Sequence, residues 1–147
     1  MKPTGKRIEY EKVAPDGYAA LDKLQQYVNG TSLDKKLLEL LKIRTSQLNG
    51  CAFCIGYHSR SAREMGETEL RVDLLNAWRR STLYSAPERA ALAWTEAVTL
   101  ISETHVPDEV YEEMKKYFSE KDLVDLTYAI IATNAWNRIS TSMRDTA

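Results

Sequence analysis

Apolar side chains recur every three or four residues along most of the chain, which is the spacing of an amphipathic α-helix. The first helix is predicted to begin near Asp16 and to end at Gly30, and the second to begin at a cap on Ser32. A third is predicted over residues 51–65, where Gly66 closes it. The apolar stripes of the first two helices comprise Leu21, Leu24, Val28, Leu33, Leu37, Leu40, Leu41 and Leu48.

The second half of the chain continues this pattern. Thr68 is predicted to cap a fourth helix, Pro87 to open a fifth and Asp108 to open a sixth. The last helix begins near Ser119 and is apolar around most of its circumference, so most of its faces must be covered. No stretch alternates with the two-residue period of a strand. We therefore predict an all-α, single domain over residues 1–147 with about six to seven helices.

Composition and charge exclude several functional classes. The 20 basic and 21 acidic residues give a formal net charge of −1, and the basic residues are dispersed, so we predict no nucleic-acid partner. No apolar run approaches about 18 residues and the N-terminal region has no apolar core, so neither a membrane span nor a signal peptide is expected. We predict a cytoplasmic protein, in which thiols stay mostly reduced.

The candidate chemistry is concentrated in residues 44–58. This segment contains both cysteines of the chain, Cys51 and Cys54, and His58 is one of its two histidines. Thiols at C-x-x-C spacing can form a disulfide and break it again, and His58 lies one helical turn beyond Cys54 on the same face. A helix that begins at this point would favour the thiolate form of both cysteines.

The residues alone leave three interpretations of this segment open. The cysteines are a redox pair, or small buried core residues, or zinc ligands together with His58 and a carboxylate. In a reducing compartment a C-x-x-C motif is more often catalytic or metal-binding than structural. The helix dipole favours Cys51 as the more reactive thiol whereas His58 favours Cys54, so local physics does not select the nucleophile.

A longer pattern, E-x11-C-x2-C-x3-H, is formed by Glu39, Cys51, Cys54 and His58. It resembles the signature of the AhpD-like alkylhydroperoxidases, which belong to the carboxymuconolactone decarboxylase superfamily. Two flanking runs, residues 42–50 and 134–138, are also similar to runs in this family.

The resemblance implies a small thiol peroxidase or dithiol–disulfide oxidoreductase that uses no metal, flavin or haem. Cys54 would attack the O–O bond of a hydroperoxide substrate and become a sulfenic acid, and Cys51 would resolve it by forming the Cys51–Cys54 disulfide. Glu39 and His58 would form a proton relay. An external dithiol, lipoyl-type in the best-known members, would reduce the disulfide. Small members of the superfamily are homo-oligomers, which implies a trimer or hexamer.

Two positions add expectations of their own. Phe53 stands where the best-known members carry a histidine between the cysteines, which removes a polar partner beside the thiols. The helical wheel places Glu39 almost opposite the leucine stripe, which predicts a solvated side chain unless that face borders the active site or a subunit contact. In the latter case, partial burial beside His58 is expected to hold the pKa of Glu39 high.

Two other functions are kept as alternatives: a decarboxylase-type lyase of the same superfamily, and a non-catalytic zinc or redox-sensor module. The C-x-x-C motif disfavours the lyase because that chemistry needs no thiol pair. Other candidate residues are assigned structural roles. His105 is predicted to lie in a loop or at a helix end, Arg138 to be a buried structural charge, and Trp78, Trp94 and Trp136 to lie in the core or an interface.

Overall fold

The computed structural model describes residues 5–147, and the regular elements in this range are all helical. The all-α prediction is therefore confirmed. The described range contains nine α-helices and one 3₁₀-helix: α1 (Tyr10–Val13), α2 (Pro15–Asn29), α3 (Lys35–Asn49), α4 (Ala52–Glu64), α5 (Glu69–Asp73), the 3₁₀-helix (Leu75–Arg80), α6 (Ala86–Thr99), α7 (Ile101–Thr104), α8 (Asp108–Lys115) and α9 (Glu120–Met143).

Helix α3 lies at the centre of the fold. It packs against α4, α6 and α9, and α9 also packs against α2. Residues 37–43 of α3 are all buried, because these neighbours cover the helix around its circumference. Leu40, Ile43, Leu92 and Leu126 belong to one continuous hydrophobic core. The residues that precede the C-x-x-C motif are therefore held in the hydrophobic core.

Local signals set most helix boundaries where the sequence predicts them. The side chains of Thr68, Ser85 and Ser119 each accept a hydrogen bond from a backbone amide three residues later, which is the N-cap arrangement. Gly50 ends α3 in the left-handed region, with φ of 67°. Glycine adopts this conformation without the steric cost that a Cβ atom brings.

One predicted cap is wrong. Helix α3 begins at Asp34 and not at Ser32, because the Asp34 carboxylate accepts a hydrogen bond from the amide of Leu37 at 2.8 Å. Leu33, between the two candidate caps, is buried in the core at a bend in the chain. The helix therefore begins after Leu33, with Asp34 as its cap.

The number of helices exceeds the predicted number, about six to seven. Helices α1, α5 and α7 contain four or five residues each, and such short elements carry no apolar stripe of their own. The predicted fourth helix is α5 followed by the 3₁₀-helix, which departs from helical geometry at Ala77 (φ −120°).

Helix α9 has one apolar face that is open to solvent. Val124, Tyr128 and Ile131 share this face by their spacing, and each is between 43% and 49% exposed. The opposite side carries Leu126 and Ile130, which are buried. Neither α9 nor any other helix within residues 5–147 is long and apolar enough to cross a membrane.

The secondary candidates have mostly the structural roles predicted for them. Trp78 and Trp94 are buried, Trp136 is half-buried, and His105 is the left-handed C-cap of α7. The prediction that Arg138 is buried is wrong. It lies on the exposed side of α9, where its guanidinium donates to the side-chain oxygen of Asn134 at 2.8 Å.

Candidate active site

The two cysteines begin helix α4 where it follows α3. Cys51 is the N-cap of α4, Cys54 lies in its first turn, and their sulfur atoms are joined in a disulfide with 5.3 Å between the Cα atoms. Cys51 is 2% exposed and Cys54 is 5% exposed. The amide of Cys54 donates a hydrogen bond to the Cys51 sulfur at 3.3 Å. Both sulfurs therefore lie at the positive end of the helix dipole, as the sequence predicts.

The end of α3 fixes the position of Cys51. After the left-handed turn at Gly50, the amide of Cys51 donates to the carbonyl oxygen of Ser46 at 3.0 Å. Helix α3 and the thiol pair are thus joined by a backbone hydrogen bond across the turn. Movement of the cysteines relative to α3 would break it.

Asparagines from the C-terminal run hold the same turn from the other side. Nδ2 of Asn49 donates to the side-chain oxygens of Asn134 at 2.9 Å and Asn137 at 3.0 Å. Nδ2 of Asn137 donates to the hydroxyl of Ser46 at 3.0 Å, and Asn137 and Ser46 are both buried. Residues 134–138 therefore contribute to the site by bracing the backbone before Cys51.

Two buried charged residues of α3, Glu39 and Lys42, form a cluster with the half-buried His58 of α4. Oε2 of Glu39 lies 2.9 Å from Nδ1 of His58, and Oε1 accepts a hydrogen bond from Nζ of Lys42 at 3.1 Å. Glu39 is 5% exposed and Lys42 is 7% exposed. The structure thus brings together Glu39 and His58, the two polar residues that the sequence motif singles out.

Of the two alternatives that the sequence leaves for Glu39, the solvated side chain is wrong, because Glu39 is buried. A helical wheel describes α3 alone, whereas α4, α6 and α9 cover this helix on several sides. Glu39 and Lys42 share the face opposite the leucine stripe, and both are buried there. The polar face of α3 therefore borders an enclosed site and not bulk solvent.

The pKa of Glu39 is lowered, whereas the sequence led us to expect that burial beside His58 would keep it high. Burial opposes ionisation of its carboxyl group, but the hydrogen bond with His58 and the charge of Lys42 outweigh this effect, so the pKa of Glu39 lies below its ordinary value. Glu39 is consequently an anion at neutral pH.

A cavity of about 930 Å³ gives access to this cluster and to Cys54 of the disulfide. Glu39, Lys42, Cys54 and His58 all line it, whereas Cys51 is not among the lining residues. Much of the remaining wall is apolar or aromatic, with Tyr18, Leu38, Phe53, Tyr57, Met65 and Trp136. A molecule bound in the cavity would therefore meet Cys54 and the Glu39–His58 pair together, in surroundings that suit an apolar ligand.

Several lining residues, among them Lys42 and Tyr57, were not predicted as part of the site. Lys42 is bonded to Glu39, and the rings of Phe53 and Tyr57 stack with centroids 6.4 Å apart. The edge of Tyr57 in turn meets the ring of His58, with centroids 5.1 Å apart. The sequence does contain the signals, because Lys42 follows Glu39 by one helical turn and Tyr57 follows Phe53 in the same way.

The zinc interpretation requires Cys51, Cys54 and His58 as ligands. In the structure the two sulfurs are bonded to each other, and Nδ1 of His58 faces the Glu39 carboxylate. No group of three or more His, Cys, Asp or Glu side chains within residues 5–147 is arranged to hold a metal ion. The observed arrangement is a disulfide near an imidazole–carboxylate pair.

Comparison with known proteins assigns this architecture to a family. The model of the carboxymuconolactone decarboxylase family matches residues 15–97. The uncharacterized protein YdfG of Bacillus subtilis (strain 168) is 43% identical over 141 residues, which are 96% of this chain and 96% of YdfG. The chain belongs to the carboxymuconolactone decarboxylase family, and within it to the AhpD-like proteins.

Solved structures show the same fold. The crystal structure of ATU0492 from Agrobacterium tumefaciens, a protein of unknown function provisionally named as the antioxidant defence protein AhpD, has a TM-score of 0.94 at 40% identity and covers 96% of this chain and 97% of its own. The apo debrominase Bmp8 has a TM-score of 0.81 at 24% identity and covers 90% of this chain and 71% of its own. Bmp8 is similar in fold alone, so the fold by itself does not specify a reaction.

Proposed function

We propose that this protein is a thiol-dependent peroxidase of the alkyl hydroperoxide reductase type. The observation that carries the proposal is the shared cavity, because Cys54, Glu39 and His58 line one space of about 930 Å³. Membership of the family supports a function within the peroxidase and decarboxylase superfamily. The Cys51–Cys54 disulfide supports thiol chemistry over a reaction that needs no thiols.

In the first step the thiolate of Cys54 attacks the terminal oxygen of a hydroperoxide, R–O–O–H. The sulfur supplies two electrons, an S–O bond forms as the O–O bond breaks, and Cys54 becomes a sulfenic acid. The leaving alkoxide takes up a proton and departs as the alcohol. Cys54 is assigned this role because it lines the cavity and Cys51 does not.

In the second step Cys51 resolves the sulfenic acid. Its sulfur attacks the Cys54 sulfur, the S–S bond forms, and the hydroxide leaves with the Cys51 thiol proton as water. The Cα separation of 5.3 Å is an ordinary disulfide spacing, so this step needs no large movement of the backbone. An external dithiol then reduces the disulfide and is itself oxidised to a disulfide.

Glu39 and His58 move the proton in the first step. Nδ1 of His58 is bonded to Glu39 at 2.9 Å, which leaves Nε2 to take the thiol proton of Cys54 and to return it to the alkoxide. The Glu39 anion orients the ring and stabilises the imidazolium. Glu39 therefore acts as an electrostatic partner of His58 and not as the group that carries the proton.

The proposed reductant is an external dithiol, of the lipoyl type in the best-known family members. With Phe53 between the cysteines, it would meet an aromatic surface where those members present an imidazole. Phe53 is 38% exposed and Tyr57 is 55% exposed, so both rings can contact such a partner. Reduction by a dithiol is consistent with the proposed cytoplasmic setting.

We also propose that the protein is a homo-oligomer, a trimer or a hexamer. The open apolar face of α9, formed by Val124, Tyr128 and Ile131, supports this proposal, because soluble proteins seldom leave such faces uncovered. Size-exclusion chromatography with light scattering measures the state. A monomer at micromolar concentration would contradict this part of the proposal.

The peroxidase proposal is tested by mixing the prereduced protein with cumene hydroperoxide in a stopped-flow instrument. We expect one peroxide consumed per chain, both thiols lost and a mass decrease of about two hydrogens as the disulfide forms. Cys54→Ser should consume no peroxide. His105→Gln, a substitution at the exposed histidine outside the site, is the matched control and should react like the wild type.

Three outcomes would reject the proposal. Persistence of both thiols in the presence of peroxide would show that Cys54 does not react. Stoichiometric zinc that protects both thiols would favour a sensor module. Decarboxylation of a carboxymuconolactone, retained in the Cys54→Ser variant, would favour the lyase function.

A further inference from the structure

Lys42 is a buried lysine whose ammonium group pairs with the carboxylate of the proposed relay. Its Nζ lies 3.1 Å from Oε1 of Glu39, and only 9% of its side chain is exposed. A buried ammonium group is costly unless it is paired. Because the other carboxylate oxygen is hydrogen-bonded to His58, Glu39 is shared between an ammonium group and an imidazole ring.

The charge of Lys42 affects how easily the Glu39–His58 pair takes up a proton. With the ammonium present, the cluster is neutral overall when His58 is neutral. Without it, the cluster would carry one negative charge in a poorly solvated site and would bind a proton more readily. This holds whichever of the two side chains holds the proton, because a strongly coupled pair titrates as a unit.

We infer that Lys42 is a positioning residue of the relay: acting through Glu39, its ammonium lowers the pH at which the Glu39–His58 pair takes up a proton. Lys42 thereby keeps His58 in the neutral form that can accept the thiol proton of Cys54 at neutral pH. This catalytic consequence rests on the proposed function. The protonation of the pair does not, since it can be measured without peroxide.

The other charged side chains along the cavity wall are already neutralised or bonded elsewhere. Lys6 pairs with Glu11 at 3.0 Å and with Asp145 at 3.1 Å. The ammonium of Lys35 donates to the carbonyl oxygen of Asn29 at 2.6 Å. Neither ammonium group is bonded to Glu39, Lys42 or His58, so we expect the fields of Lys6 and Lys35 to be similar in all the variants compared.

The remaining titratable groups on the wall are tyrosines and a cysteine. Tyr10, Tyr18 and Tyr57 line the cavity with Cys54. Burial, together with a hydrogen bond to Asp145, raises the pKa of Tyr10 above its ordinary value, so this hydroxyl stays protonated across the neutral range. Cys54 does not titrate while it is bonded to Cys51. In the disulfide form, a change near neutrality therefore reports on Glu39 and His58.

The test is an NMR titration of the imidazole resonances in the disulfide form. The chain contains two histidines, so the exposed His105 serves as an internal reference for His58. We expect Lys42→Met to move the His58 midpoint upward by about one pH unit, a tenfold change in proton affinity. Lys42→Arg should leave it near the wild-type value because the charge is kept, and His105 should not move in any variant.

A His58 midpoint that is the same in wild type and Lys42→Met would overturn the inference. Lys42→Gln serves as a second uncharged variant if the methionine variant fails to fold, and the same result in it has the same meaning. In active protein, the acid limb of the pH–rate profile should move upward with the midpoint. If the His58 midpoint moves but the wild-type protein does not reduce peroxide, the peroxidase proposal fails while the role of Lys42 stands.

Discussion

Glu39 and Glu96 are two of the poorly solvated carboxylates in this molecule, and their partners differ. The side chain of Glu39 is 7% exposed and bonds to Lys42 and His58. The side chain of Glu96 is 13% exposed; it accepts hydrogen bonds from Arg44 and Trp78 at 2.8 Å each and also pairs with Arg79. In both carboxyl groups burial opposes ionisation, but the hydrogen bonds and charges of the partners outweigh this effect. The pKa of each group therefore lies below its ordinary value.

The difference lies in what the partners can do. Both guanidinium groups around Glu96 are permanently charged and the indole only donates, so none of the three accepts a proton near neutral pH. Glu96 does not line the large cavity. Glu39 bonds to an imidazole that lines the cavity together with Cys54. An ionised buried carboxylate therefore indicates a relay only when its partner titrates and when a substrate can reach that partner.

The largest expected effect is a difference in the rate of peroxide reduction between substitutions at Glu39 and at Glu96. Glu39→Gln should slow peroxide reduction by about 10²- to 10⁴-fold, because the imidazolium loses its anionic partner. Glu96→Gln should react within about twofold of the wild type, since it contacts neither the cavity nor the thiols. Stopped-flow rates for the prereduced proteins measure both. A Glu39→Gln protein with the wild-type rate would remove the distinction between the two sites.

A second prediction tests whether Glu39 and His58 act as one unit. If they do, the double variant Glu39→Gln, His58→Gln should be little slower than either single variant, within about threefold. Rates of all four proteins give the coupling from one double-mutant cycle. Losses that simply multiply would show that the two residues support the reaction separately.

A third prediction concerns the contribution of Glu96 to stability. Glu96→Gln should lower the free energy of unfolding by about 1–3 kcal/mol, because Arg44 and Arg79 lose the charge that compensates them. Glu112→Gln, at an exposed pair with Lys115, is the matched control and should change it by less than about 0.5 kcal/mol. Urea unfolding measures both. Equal effects of the two substitutions would show that Glu96 is no more than a surface charge.

The smallest effect expected is in the pH dependence of stability. The pKa values of Glu39 and Glu96 are lower in the folded chain than their ordinary value of 4.5. As the pH falls below about 5, the unfolded chain takes up these protons first, so the stability from these carboxylates is lost progressively. The difference in the free energy of unfolding between wild type and Glu96→Gln should therefore become smaller as the pH falls. If this difference grew on acidification, the conclusion that folding lowers the pKa of Glu96 would be contradicted.

Features that depend on local sequence were predictable. Gly30, Gly50 and Gly66 end or follow helices as predicted, and Thr68 and Ser119 cap the helices assigned to them. Caps and left-handed glycines act through their immediate neighbours, so a single sequence is enough to identify them. The helix start at the C-x-x-C motif belongs to the same class of feature.

Features that depend on packing were not predictable. Nothing local to Glu39 and Lys42 shows that α4 covers them, and a helical wheel assigns the face opposite a leucine stripe to solvent. The low pKa of Glu39 depends on the same contacts, because His58 comes from another helix. The three-dimensional arrangement of α3 and α4, and not the pattern within either, makes the charged cluster.

The central claim is that Cys54 attacks the peroxide with the help of Glu39. The most direct test uses variants that keep only one of the two cysteines. In Cys51→Ser, the reduced Cys54 should react with peroxide and accumulate a sulfenic acid that a dione probe traps on Cys54. Adding Glu39→Gln to that background should slow trapping by at least about 100-fold, whereas adding Glu96→Gln should not. Sulfenic acid found only on Cys51, in the Cys54→Ser protein, or equal rates with and without Glu39→Gln, would contradict the account.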